Sequence, residues 1–297
     1  MIFARRGIDI DAYPSIKRHL LALRSKLEPK PYNWDPPVPG QKWQGRKEGA
    51  YAWYEIQDAI DYWQEFAKPK IIYQEIQFHP AYAFDDTGLF SNNKTFILTV
   101  DQTALLAILN SPLMWWFNWR FLPHMKDEAL SPMGFKMERL PIATLKSKAF
   151  DAANKNAASL VKMTRTQLAS IVQASDWLKH SLGIDRPKGA LSHMAGLDTD
   201  AFVKAVAGAL PKKQKLTAAE IAELKREHAV TLEPARKARA EIFALERKSS
   251  DLVNEAYGLT PMEVDLMWRT APPRMPFTPA GLTEATMAPD QDVADDE

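Results

Sequence analysis

Six histidines, at positions 19, 79, 124, 180, 193 and 228, are the first residues to weigh for chemistry. None stands at a metal-ligand spacing from another, and His-Glu-x-x-His does not occur. The chain has no cysteine, which excludes a disulfide framework, a thiolate metal site and a cysteine nucleophile. Neither a phosphate-cradling Gly-x-x-x-x-Gly-Lys nor a Gly-x-Ser-x-Gly nucleophile turn is present. Carboxylate pairs such as Asp58/Asp61 and Asp127/Glu128 read as solvated charge, and no Asp…Glu-x-Lys set on a strand marks a nuclease. Gly40, Gly45 and Gly49 are loosely spaced and follow no strand, so they make no cofactor loop. The expected catalytic and metal-ligating residues are therefore none.

Asp35-Pro36-Pro37-Val38 begins like the polar-Pro-Pro-aromatic strings that hold the amine of a flipped base. Val38 has no ring to stack on a base, and Lys30-Pro31-Tyr32-Asn33-Trp34 before it is no buried strand, so the string reads as a rigid loop. The chain also carries cations and amides on loops and beside an aromatic helix. Arg46 and Lys47 follow a proline-rich stretch, and Asn92, Asn93 and Lys94 form a second group; Arg120, Lys136 and Arg139 flank an aromatic helix. Such side chains suit phosphates and base edges: Arg or Lys pairs with guanine and Asn with adenine. The competing reading makes Arg46 and Lys47 structural partners of Glu48 or Glu55. Trp115, Trp116 and Trp119 read as core rather than stacking platforms, and Trp53 and Tyr54 as packing residues.

The elements that must position these residues follow from periodicity. Ile16, Leu20, Leu23 and Leu27 make the apolar face of a helix from Tyr13 to Leu27, stopped by Pro29 and Pro31. Residues 29–49 are a loop, and a short helix is expected over 56–66. Strands are expected at 70–76 and 95–100, with turns at 85–88 and 92–93. A helix over 104–109 is followed by a second, with Ser111 as its cap and Pro112 at its first position. Beyond residue 150 aromatics thin out and Ala, Lys, Leu and Glu dominate. Helices are expected over 160–182, ended by Gly183, and over 201–210. A capping box at Thr217/Glu220 opens a long helical stretch to Tyr257, divided at Pro234 and closed by Gly258, with a short helix from Pro261. The fold class is α+β, with a mixed N-terminal domain (1–149), a helical C-terminal region (150–270) and an irregular, acidic tail (271–297).

The 297 residues carry 38 Lys+Arg against 37 Asp+Glu. Six of the acids lie from Glu284 onward, where there is no Lys or Arg, so the body is basic, as suits a polyanionic partner. No apolar run reaches the roughly 18 residues of a membrane helix, and Met1–Arg6 lacks a signal-peptide core. No membrane partner and a cytoplasmic location are the expectation.

One ordered series of strings carries a family resemblance. It begins with Arg6-Gly7-Ile8-Asp9, Tyr13-Pro14, Lys17-x-His19-Leu20 and Leu27-Glu28-Pro29. It continues with Trp43-x-Gly45-Arg46-Lys47-x-Gly49-x-Tyr51-x-Trp53-Tyr54-Glu55-Ile56-Gln57-Asp58 and Phe66-x-Lys68-Pro69-Lys70-Ile71. Leu105-Leu106-Ala107-Ile108-Leu109-Asn110-Ser111 and Arg139-Leu140-Pro141-Ile142 end it. The series resembles the TaqI-like C-terminal specificity domain, the target-recognition domain of adenine-specific DNA methyltransferases of the type IIG and phage-exclusion restriction-modification class. Val253-Asn254-x-Ala256-Tyr257-Gly258-Leu259-Thr260 and Trp268-Arg269-Thr270-Ala271-Pro272-Pro273-Arg274 resemble the ends of such proteins. The resemblance implies double-stranded DNA as partner. Its catalytic tetrapeptide and S-adenosylmethionine site have no positions here, which implies a split or truncated methyltransferase. The cofactor is then expected on a separate or missing catalytic domain, and a separate methyltransferase catalytic chain is a further expected partner. The competing function is a non-catalytic protein–protein module that uses the long C-terminal helix.

Overall fold

The computed structural model describes residues 2–58, 60–100, 102–143, 148–211 and 214–277. The acidic run from Glu284 lies outside these residues. Contacts divide the chain into two units, Met1–Ala67 and Lys68–Glu297.

In the first unit the helix expected over 13–27 forms as two pieces, α1 (Pro14–Leu21) and α2 (Arg24–Leu27). Pro14 opens α1 at a position whose N–H would have no partner anyway. Beyond α2 side-chain-to-backbone hydrogen bonds do most of the work of secondary structure. The buried Glu55 carboxylate accepts from the Gly7 N–H at 2.6 Å and the Ala52 N–H at 2.8 Å. The helix expected over 56–66 shrinks to a 3-10 turn at Trp63–Ala67. Arg6 donates to the carbonyls of Ile56 and Gln57, and the Ile56 N–H goes to the Ala4 carbonyl at 2.8 Å. Those carbonyls are the ones an α-helical ladder starting there would need.

The second unit holds an antiparallel sheet in the order β2-β1-β3. Strands β1 (Lys70–Gln74) and β3 (Thr95–Leu98) fall where β-branched and aromatic residues place them. Between them lies β2 (Tyr82–Asp85), which has no β-branched residue and which the pattern did not reveal. Ile71 of β1 is opposite Phe84 on one side and Leu98 on the other. On the outer edge of β2 the Asn110 side chain stands in for a neighbouring strand. Its Oδ1 accepts from the Tyr82 N–H at 3.1 Å and its Nδ2 donates to the Tyr82 carbonyl at 2.9 Å. Lys70 and Asp85, paired across β1 and β2, form an ion pair whose side chains are 0% and 5% exposed. Asp85 also accepts from the Thr87 N–H, the Thr87 hydroxyl and the Leu89 N–H, which shapes the turn after β2.

Helices α3 (Thr103–Leu109) and α4 (Pro112–Phe121) follow, and the Ser111 hydroxyl accepts from the Met114 N–H at 3.1 Å as an N-cap should. Trp115 is fully buried and donates to the Pro273 carbonyl at 2.9 Å, while Trp116 donates to the Thr270 hydroxyl at 2.9 Å. The tryptophans of α4 are thus packing residues. After α5 (Gly134–Met137) comes α6 (Lys148–Leu182), which starts well before the expected Leu160. Its first turns are alanine-rich and show no large apolar stripe, yet Ala153 and Ala157 are buried. From the same stretch Asn154 Oδ1 accepts from the Thr103 hydroxyl at 2.6 Å and the Ala104 N–H at 3.0 Å, capping α3 from outside.

Gly183, at φ +71°, ends α6. Helices α7 (Thr199–Ala209) and α8 (Ala218–Glu227) follow, and the Thr217/Glu220 capping box is formed in full. The expected division at Pro234 takes the form of a π-helical segment, His228–Leu232, leading into α9 (Glu233–Ala256) with the proline in its first turn. A proline there needs no N–H partner and meets no preceding α-turn carbonyl. A second capping box, Thr260/Glu263, opens α10 (Pro261–Arg269). The apolar side chains form two main clusters. One joins Ile71, Tyr73, Leu106 and Met114 to Val253 of α9; the other joins Ala174 and Leu178 of α6 to Phe202, Leu224 and Leu232. The change of composition near residue 150 is therefore a change of texture inside one compact unit.

Candidate nucleic-acid interface

In the first unit Arg46 and Lys47 have different environments. Lys30 donates its backbone N–H to the Arg46 carbonyl and Arg46 its own to the Glu28 carbonyl, both at 3.0 Å, so a short bridge closes the proline loop. The Arg46 guanidinium turns inward. It donates to the carbonyls of Leu27 at 2.6 Å, Glu55 at 2.6 Å, Trp53 at 2.8 Å and Ala52 at 3.4 Å, and lies 4.6 Å from the Tyr51 ring centre. Gly45 has an internal reason as well: a Cβ there would meet the Glu28 carbonyl at 2.2 Å and the Trp43 indole nitrogen at 2.6 Å. A Cβ on Gly49 would meet the Tyr51 ring at 2.4 Å. Neither glycine lines an open cradle for a cofactor. Lys47 is exposed, 2.9 Å from Asp58, whose carboxyl its hydrogen bond and charge hold below the usual range. Such a surface pair is weak and exchangeable for a phosphate.

The most exposed large apolar side chain of this unit is Tyr32, at 90%. It sits in the loop between Pro31 and Pro36, which is stiffened from below by Trp43 bonding to the Glu28 carbonyl at 3.0 Å and by Trp43 meeting Trp34 edge-on. Lys30 lies over the Trp34 ring. The sequence holds a signal for it: an aromatic among prolines, in a stretch with no apolar period, has no core to enter.

In the second unit Asn92 Oδ1 accepts from the Lys94 N–H at 3.0 Å and shapes the turn before β3, while Asn93 and Lys94 are exposed. Lys94 is 2.9 Å from Glu75. Arg120 stacks on Trp116 at 3.9 Å and donates to the Trp116 and Thr270 carbonyls, and burial lowers its pKa from the usual value. The structure does bring Lys136 up to two aromatic rings. Lys136 lies over Phe121 at 5.1 Å and near Phe135 at 5.9 Å, and Phe135 and Arg139, four residues apart, are both exposed. An exposed ring with cations one and four residues further along the chain offers a base face and phosphate oxygens different partners on one segment. Phe135 was not among the residues expected from sequence.

Among the described residues no group of His, Asp and Glu could hold a metal ion, and no helix is long and apolar enough to cross a membrane. No curated protein and no solved structure is significantly similar to the chain. Residues 146–253 match a domain of unknown function (DUF8810). The strings before residue 38 and after 253 lie outside both matches. The segment from Val38 to Ile142, which carries Arg46, the sheet and α5, matches the TaqI-like C-terminal specificity domain.

Proposed function

We propose that the chain recognises double-stranded DNA as the specificity part of an adenine-specific DNA methyltransferase, in a restriction-modification or phage-defence system. The observation that carries this reading is the match of residues 38–142 to the TaqI-like C-terminal specificity domain. In this reading S-adenosylmethionine and the transfer step belong to a catalytic domain outside these residues, supplied by a separate chain or a missing segment. The residues to make contact are Lys47, Asn93, Lys94, Lys136 and Arg139, joined by Tyr32 and Phe135; Asn92 shapes its turn and Arg46 and Arg120 hold the scaffold.

The competing use of the long C-terminal helix as a docking surface has less to offer. The buried face of α9, with Ala235, Ile242 and Val253, is taken up inside its own unit, where α9 packs on α6. The test is a salt titration of binding to random and partitioned duplex pools by fluorescence anisotropy. A DNA reader loses affinity steeply with salt, by about 0.9 log units per log unit of salt for each phosphate contact. Lys136→Ala with Arg139→Ala should lower that slope by about two. Binding that is absent at low salt, or indifferent to salt, would refute the proposal.

A further inference from the structure

The second unit contains a groove of about 960 Å³ that plays no part in the interface above. Its walls are the outer side of β2, the α3–α4 corner, the first half of α6, the middle of α9 and the segment 274–277. The lining is mostly apolar, with Phe84, Leu160, Val161, Met275 and Phe277 prominent. Its volume falls within the range of small-molecule sites, roughly 300–1,000 Å³.

The charged groups around it are unequal. Asp85 is paired with Lys70, Arg165 with Asp86 at 2.8 Å, and Arg274 with Glu128 at 3.8 Å. Glu246 of α9 has no hydrogen bond or ion pair among the described residues, and burial alone pushes its carboxyl up from the usual value. One turn further along the same helix, Ser249 is 6% exposed and its hydroxyl has no partner among the described residues. Residues three apart share a helix face. An acid and a buried hydroxyl without partners, set in apolar walls, are what an incoming cation would satisfy.

Two other occupants fit less well. An anion would meet Glu246 and find Arg165 and Arg274 engaged. An extended peptide cannot add to β2, because Asn110 closes the edge at Tyr82 and Arg165 holds the Phe84 carbonyl at 3.2 Å. We propose that this groove is a binding site for an apolar organic amine, its ammonium held by the Glu246 carboxylate and the Ser249 hydroxyl and its hydrocarbon body by the α6 and β2 walls. The site shares no residue with the DNA reading and stands or falls independently of it.

The test uses the full chain and two probes of one shape, naphthylmethylamine and the neutral naphthylmethanol, titrated by saturation-transfer NMR and calorimetry. The amine should bind at least about tenfold more tightly than the alcohol, since a half-buried ion pair outweighs a neutral hydrogen bond. Glu246→Gln should remove that preference and leave the alcohol unchanged, and Ser249→Ala should weaken the amine a few-fold. Glu246→Gln should fold at least as well as the parent, because it deletes a partly buried acid that burial disfavours. Ala107→Phe, which fills the groove from α3, provides a second variant that should abolish binding of both probes. Equal affinity for amine and alcohol, no amine binding up to its solubility, or a preference that survives Glu246→Gln would each overturn the proposal.

Discussion

Arg46 and Lys47 are neighbours in sequence, and their replacement should produce opposite kinds of damage. The Arg46 guanidinium reaches three carbonyls at 2.6–2.8 Å and a fourth at 3.4 Å, on residues 27, 52, 53 and 55. A hydrogen bond to a charged donor contributes about 1.5–3 kcal/mol when well enclosed. This side chain is only half-buried, so about 1 kcal/mol for each of the three short bonds is the better figure, and Arg46→Ala should cost about 3 kcal/mol. Arg46→Lys should recover little of it, because an ammonium cannot reproduce the planar fork. Lys47→Ala removes an exposed pair with Asp58 and should change stability by less than about 1 kcal/mol. It should reduce the salt slope of DNA binding by about one if Lys47 meets a phosphate. Urea unfolding of the full chain followed by tryptophan fluorescence reports the first effect, since four tryptophans lie at 34, 43, 53 and 63 in the first unit. Anisotropy at several salt concentrations reports the second. An Arg46→Ala chain that unfolds like the parent but binds DNA poorly would refute the division of roles.

Lys70→Met should destabilise the second unit by about 3–5 kcal/mol, since it leaves the buried Asp85 carboxylate without its ammonium; adding Asp85→Asn should recover part of it, read from denaturant midpoints. Burial pushes the Asp85 carboxyl up, but Lys70, the Thr87 hydroxyl and the N–H groups of Thr87 and Leu89 outweigh it and hold the acid well below the usual range. Its contribution is therefore complete above pH ~4, the unfolded value. It should be lost progressively as pH falls below that, with Asp85→Asn flattening the acid limb. In alkali the sign reverses: burial, with Glu138 nearby, pushes the Tyr73 hydroxyl up to about 12, and burial raises Tyr82 as well. These two phenols should stay protonated while exposed tyrosines ionise, and stability should decline above pH ~10, as phenolate absorbance would show. Gly183→Ala should cost about 1 kcal/mol in thermal unfolding, because the positive φ that ends α6 is strained for any Cβ.

The parts of the fold that local chemistry dictates were legible in the sequence. The Ser111–Pro112 start of α4, the Thr217/Glu220 box, the Gly183 and Gly258 stops and the β-branched strands β1 and β3 each depend on residues within a turn of one another. What escaped depends on partners far along the chain. The first turns of α6 hide as alanines because their role is close approach to α3, and β2 exists because β1 is there to pair with it. For the candidate site, Gly45-Arg46-Lys47-x-Gly49 reads as a flexible cationic loop, and nothing in those five residues reveals that carbonyls at 27, 52, 53 and 55 converge on the guanidinium. The α5 patch was half seen: Lys136 and Arg139 carry charge, whereas the exposure of Phe135 is set by the fold around it.

Helix α6 bears on how this protein can be taken apart. Its 35 residues run about 52 Å, with Val161 packed against the sheet-side core and Ala174 and Leu178 inside the other. The two family matches part between residues 142 and 146, just before it begins. A cut at that seam would bare the Leu106 and Leu109 side of α3 and strip the cap that Asn154 lends to its first turn. The two matched segments are consequently not interchangeable cassettes. A graft of the specificity segment onto another protein must bring α6 and its α9 partner along, or supply a replacement surface of the same shape.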